Sequence, residues 1–303
     1  MHLQRLLKLP FYYVHLAALH LHLIVLPAHY YSSAPNILEL KKEKQIWAKR
    51  SELPGLEIDI EEQEKNLRDI CLPYRDEYRL HDWRFESGEF GQGFGIIEPH
   101  AYYSMIRHLK PQKIIEVGSG MSTYCALAAL SCNNAGTVTC IEPYPSNYLK
   151  YNKNIVLIKK RVQELDPSFF KCLKENDILF VDGSHVVKVG SDVNYIILEV
   201  LPRLNKGVIV HFHDIFFPYD YQRDTTKNFF HWSETSLLRG FLIGNSHAKI
   251  LFSMSQLHYD KQKIMKECFF DYDPEPDING LNDLKPFERS KKHFPSSIYI
   301  KIT

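Results

Sequence analysis

The chain has 303 residues, 45% of them apolar and 24% charged, with a formal net charge of +1. That balance belongs to a globular protein able to bury a sizeable core, and it excludes the polar, charge-biased composition of a disordered chain. With charge so nearly balanced and no dense Lys/Arg stripe, nothing marks a nucleic-acid partner.

Residues 1–50 read as an N-terminal helical extension. An apolar run over 11–26, preceded by Arg5 and Lys8, has the outline of a signal sequence, but His15, His20 and His22 interrupt it. No small-x-small cleavage site follows, and the run is short of the about 20 apolar residues a membrane-spanning helix needs. A helix packing on the domain or on a partner is expected, with membrane association through 11–26 as the alternative. A charged helix should follow near 38–50. The stretch 51–95 is mixed and polar, carrying Pro54, Gly55 and the glycines Gly88, Gly91, Gly93 and Gly95. No strand precedes that cluster, so it is not a dinucleotide fingerprint; it reads as a linker with a lid-like loop. Cys71, Cys125, Cys132, Cys140, Cys172 and Cys268 show no paired spacing. Reduced thiols and a cytoplasmic location are the simplest expectation.

From 96 to 303 strand and helix patterns alternate, the mark of a largely parallel sheet. A helix at 99–109 leads to an apolar strand at 113–117, a glycine turn and a second helix. Strands follow at 137–141, 155–159, 178–182 and 207–212. Before the last of these, Val193, Ile196, Ile197, Val200, Leu201 and Leu204 recur at helical spacing. A helix near 233–243 precedes a strand at 249–254, and 297–302 alternates as an edge strand should. The fold class is therefore α/β: a doubly wound, Rossmann-like, seven-stranded and mostly parallel sheet, with ligands expected at the strand C-termini. Those ends carry Glu116, Glu142, Asp182 and the pair His213-Asp214. Four acidic ends on one edge exceed what a purely structural sheet needs. The glycine turn after Glu116, followed at the expected distance by Glu142, is the pattern that holds a nucleoside: backbone amides approach the ligand while a carboxylate grips ribose hydroxyls.

Four segments together resemble the class I S-adenosylmethionine-dependent methyltransferases, in the branch of catechol and macrocin-type O-methyltransferases. They are Glu116-Val117-Gly118-Ser119-Gly120, Cys140-Ile141-Glu142-Pro143, Ile178-Leu179-Phe180-Val181-Asp182-Gly183-Ser184-His185 and Gly207-Val208-Ile209-Val210-His211-Phe212-His213-Asp214. The resemblance covers about 95–260 and leaves the first 50 residues outside. It implies S-adenosylmethionine as cofactor, with Gly118, Ser119 and Gly120 against the methionine moiety and Glu116 near its amino group. Glu142 would accept from both ribose hydroxyls, and Gln163 would contact the adenine. The third position of the usual glycine pattern is Ser122, a departure from the family.

By the same resemblance Asp182, His213 and Asp214 fall where catechol-type enzymes hold a divalent cation, and His185 where they carry the general base. An all-oxygen site suits Mg²⁺, whereas an imidazole admits Mn²⁺, Fe²⁺ or Zn²⁺ as well. The implied reaction is methylation of a small-molecule or glycan hydroxyl. The alternatives are a nicotinamide-dependent oxidoreductase, or a non-catalytic scaffold with the same fold that binds a partner through 1–50. A homo-oligomer is compatible with either.

Overall fold

The computed structural model describes residues 8–81, 83, 93–286, 288 and 292–303. Gly88 and Gly91 of the lid-like stretch lie outside the described residues. The chain forms two compact units, Met1–Trp47 and Ala48–Thr303.

In the first unit the apolar run forms helix α1, Lys8–Leu19, and leaves helical geometry before the run ends. His15 Nδ1 meets the Val25 carbonyl oxygen at 2.7 Å, tying the remainder of the run back to the helix. No helix among the described residues is long and apolar enough to cross a membrane. The expected charged helix is two short ones, Ile37–Lys42 and Lys44–Trp47, with the Asn36 side chain accepting from the Leu38 N–H as cap.

The second unit is built on a seven-stranded sheet. In chain order the strands are β1 (Lys113–Val117), β2 (Thr137–Ile141), β3 (Ile155–Ile158), β4 (Ile178–Val181), β5 (Ile209–Phe212), β6 (Ala248–Ser253) and β7 (Ile298–Ile302). Their spatial order is β3-β2-β1-β4-β5-β7-β6, with β1 to β5 parallel and β7 antiparallel to both its neighbours. This corrects one expectation: 297–302 is not an edge strand. β7 inserts between β5 and β6, and β6 and β3 are the edges. Its residues are buried on both faces except Lys301, whose pattern reads locally as alternation. The two-residue strands Asp277–Ile278 and Leu281–Asn282 make a separate small hairpin.

Period-two alternation sends each strand's side chains into two cores. Ile114, Val138, Cys140, Ile178, Phe180 and Tyr299 pack on one face beneath α2 (Ile60–Cys71), α3 (Ile97–Leu109) and α4 (Met121–Asn133). Ile115, Val117, Leu179, Val181, Val210 and Phe212 pack on the other, against the helical segment that runs from Asp192 to Arg203 and against α5 (Glu234–Leu242). α2 shows that 51–95 is more than a connector. Leu67, Ile70 and Cys71 sit in the first core, while Glu61, Glu64, Lys65 and Arg68 form ion pairs on the outer face.

The parallel register places Val117 beside Ile141 on one side and Val181 on the other. The chain turns out of β1 at Gly118, whose N–H donates to the Ile141 carbonyl at 3.2 Å, while the Asp182 N–H donates to the Val117 carbonyl at 2.8 Å. Gly118 has φ +79, and a Cβ there would stand 1.8 Å from the Asp182 carbonyl oxygen. Only glycine fits, for backbone conformation and for space. The Gly118→Ala protein is expected to lose at least about 2 kcal/mol of stability, read as a lowered denaturant midpoint at unchanged slope.

Candidate active site

The C-terminal edge of the sheet brings the predicted residues into two adjoining groups. In the first, Glu142 follows β2 directly and lies beside Gly118 through the β1–β2 register. It is half-buried, and its Oε1 accepts from the Tyr144 N–H at 2.8 Å, which fixes the carboxylate in a tight turn. Gln163 sits in the short turn Val162–Glu164 after β3, with Nε2 donating to the Gly190 carbonyl oxygen at 3.0 Å. Gln163 Oε1 is a buried atom with no hydrogen-bond partner among the described residues. Gly120 starts α4.

Glu116 points to the helix-covered face and has no exposed surface. Thr123 Oγ1 on α4 and Tyr102 Oη on α3, the latter at 3.3 Å, donate to its carboxylate. Burial pushes the Glu116 carboxyl up to about 7, and the hydrogen bonds from Thr123 and Tyr102 only partly offset this. The sequence resemblance places Glu116 near the methionine amino group; in the structure its carboxylate is buried at the end of β1 and bonded to Thr123 in the first turn of α4.

The second group gathers at the ends of β4 and β5. Asp182 Oδ1 is 3.2 Å from His185 Nε2 and 3.4 Å from His213 Nδ1; Asp214 Oδ2 is 3.8 Å and 3.4 Å from the same two atoms. The carboxylates are the open part of the cluster, with side chains 29% and 19% exposed against 7% for His185 and 2% for His213. One ligand atom from each of Asp182, His185 and Asp214 lies within 4.8 Å of the others. The expected cation set named His213 in place of His185; the geometry brings all four residues together. His213 stands under the cluster with Phe94 against its ring, 5.3 Å between centroids, and neither ring nitrogen has a hydrogen bond of good geometry.

Charge explains how two imidazoles stay buried there. Burial alone would lower both; for His213 the Asp214 and Asp182 carboxylates prevail and raise it to about 9. For His185 the carboxylates of Asp182 and Glu234 prevail, and its value lies well above the ordinary histidine range. Asp182, in turn, is held well below the usual carboxylate range: burial opposes this, and His213 and His185 outweigh it. His185 and Asp214 both adopt left-handed backbone, each with φ +58. For non-glycine residues this is uncommon, and it is a conformation that clusters at functional sites. Asp214 is held by Ser296, whose Oγ donates to Oδ1 at 2.9 Å. The Ser296 and Ser297 N–H groups donate to buried Glu98 Oε1 on α3.

Sequence reasoning missed Glu234, which contacts His185 Nδ1 at 2.8 Å through Oε2 and is buried to 1% exposure. It also missed Glu98. In the aromatic stretch after Asp214, Phe216, Phe217 and Tyr219 are buried.

The sheet order, with an antiparallel strand inserted next to the last position, is that of a class I methyltransferase rather than the all-parallel 3-2-1-4-5-6 order of a dinucleotide-binding sheet. A family model described as "Methyltransferase domain" matches residues 115–215, from β1 through the residue after Asp214. An uncharacterized protein of Archaeoglobus fulgidus is 34% identical over 168 residues, covering 50% of this chain and 75% of that protein. Among solved structures, the S-adenosylhomocysteine-bound Podospora anserina methyltransferase PaMTH1 is similar over 80% of this chain and 92% of its own, at 17% identity and TM-score 0.41. The O-methyltransferase TomG from Streptomyces achromogenes, in complex with S-adenosylmethionine, is similar over 71% and 87%, at 14% identity and TM-score 0.38. Residues 115–215 thus match a methyltransferase domain, on a sheet whose strand order is that of the class I methyltransferase fold.

The buried carboxyl under the turn gives a stability signature. Folded Glu116 holds its proton up to about pH 7, whereas the unfolded carboxyl releases it near pH 4.5. Stability therefore falls as pH rises through that window. Glu116→Gln is expected to gain on the order of 3 kcal/mol over wild type at pH 8, with the difference vanishing toward pH 4.5, in urea denaturation across that range.

Proposed function

We propose that this protein is an S-adenosylmethionine-dependent O-methyltransferase acting on a hydroxyl of a small molecule or sugar, with a divalent cation assisting. The observation that carries the reading is the pair of partly exposed carboxylates, Asp182 and Asp214, backed by two buried imidazoles and adjoining the Gly118 turn through the Asp182 backbone.

The residues present fit the cofactor. Gln163 Oε1 is buried with no hydrogen-bond partner among the described residues at the place where the adenine end is expected, and half-buried Glu142 follows β2, between the ends of β3 and β1. Bound S-adenosylmethionine supplies a methyl group that its sulfonium already activates, leaving the protein to align the acceptor oxygen and remove its proton. Glu142 accepts from the ribose hydroxyls, Gln163 meets the adenine, and Gly118, Ser119 and Gly120 line the methionine end. Glu116 supports that turn from below through Thr123.

The second group fits a cation. Its donors are two carboxylates and imidazole nitrogen, and among the described residues neither His213 ring nitrogen makes a hydrogen bond of good geometry. Asp182 and Asp214, with His213 behind them, would hold the ion; a mixed oxygen and nitrogen set suits Mn²⁺, Fe²⁺ or Zn²⁺ as well as Mg²⁺. Such an ion lowers the pKa of a hydroxyl that contacts it. His185 Nε2 lies beside both carboxylates and, in the neutral form of the ring, is the atom that can receive the hydroxyl proton, while Nδ1 rests against Glu234. A vicinal diol suits the arrangement, one hydroxyl reacting and the other filling a second contact.

Calorimetric titration with S-adenosylhomocysteine tests the first half of this reading. Wild type and Asp214→Ala are expected to bind alike, and Glu142→Ala to give no heat. Equal binding by both variants would remove Glu142 from the cofactor site, and no heat in wild type would favour a scaffold. Transfer of tritium from methyl-labelled cofactor to a diol acceptor tests the second half.

A further inference from the structure

Glu234 is buried, 49 residues after His185, and meets the cluster through that histidine. Four hydrogen bonds join the two segments. Besides the 2.8 Å contact of Glu234 Oε2 with His185 Nδ1, the His185 carbonyl oxygen accepts from the N–H groups of Ser233 at 2.8 Å and Glu234 at 3.1 Å. Ser233 Oγ in turn accepts from the Val187 N–H at 2.9 Å. The Trp232 ring covers the imidazole, 4.6 Å between centroids, and the Trp232 N–H is anchored on Gln222 Oε1. The start of α5 thus holds both the backbone and the ring of a residue whose φ of +58 is costly without such restraint.

We infer that Glu234 is a positioning residue that fixes a proton on His185 Nδ1 and so aims Nε2 at the gap between Asp182 and Asp214. The inference rests on the reading of His185 as proton acceptor. A ring free to rotate would present either nitrogen; a buried carboxylate acceptor on one side selects which nitrogen carries the hydrogen and which faces the acceptor hydroxyl. The same logic operates wherever a carboxylate orients a histidine base. Asp182 cannot do this work, because it faces the other nitrogen.

The test is proton NMR of the full chain with ¹⁵N-labelled histidine. Wild type should show a downfield, exchange-protected imidazole N–H on Nδ1 that disappears in His185→Asn, which assigns it. Glu234→Ala should lose that signal while still binding S-adenosylhomocysteine as wild type does. Glu234→Gln should restore it, since the amide oxygen can accept from the same N–H. Absence of the signal in wild type, or its persistence in Glu234→Ala, overturns the inference; the wild-type spectrum decides even where a Glu234 variant does not fold. Failure of wild type to bind S-adenosylhomocysteine would instead overturn the methyltransferase reading, and the ring proton would still report on Glu234.

Discussion

The contact between the Gly118 backbone and the Asp182 carbonyl oxygen is the constraint on which the remaining site geometry depends. It lets the turn after β1 lie flat against the end of β4, so that the edge carrying Glu142 and the acid-rich edge become one surface. A side chain at 118 would push the turn away from Asp182. It would also disturb the Ile141 carbonyl that accepts from the Gly118 N–H, and with it the position of Glu142. The glycine of the motif thus has a task inside the protein, separate from admitting a ligand. Glu116 adds a second restraint from below: its buried carboxyl joins the end of β1 to α3 through Tyr102 and to α4 through Thr123.

The acid-rich edge is stabilised by charge balance under low exposure. Asp182 and Asp214 lie close together, and like charges this near would repel strongly if both were ionised and unpaired. His185 and His213, raised above the ordinary histidine range by these same carboxylates, supply the compensating charge. A divalent cation would supply it in another form, and its binding would displace protons from the site. Imidazolium charge and a bound cation would thus be alternative ways of balancing one set of carboxylates. Each imidazole is braced on its far side, His185 by Glu234 and Trp232, His213 by Phe94.

Much of this architecture was legible in the chain because parallel strands leave continuous apolar runs and their ends carry the exceptions. Val117, Ile141, Val181 and Phe212 each precede a turn or an acidic or imidazole residue, and local pattern suffices to read them. β7 was placed at an edge because alternation over 297–302 says nothing about which strands flank it. Its insertion between β5 and β6 is a long-range pairing, visible only once the β5 and β6 registers are known. α2 was hidden by its charge: its outer face carries so many ion-paired residues that Leu67, Ile70 and Cys71 did not stand out as a stripe.

Glu234 was illegible for a different reason. It begins a helix after a polar and aromatic loop, where an acidic residue is ordinarily read as favouring the helix N-terminus. Here the carboxylate turns inward, and its environment is set by the fold's bringing α5 against the loop after β4. Burying a carboxylate costs more than exposing it unless a partner compensates, and burial does raise its pKa even with His185 alongside. A chain that needed only to begin a helix would leave Glu234 in water. Its inward placement, together with the two backbone N–H groups that clasp the His185 carbonyl, bears on the orientation of one imidazole rather than on the start of α5.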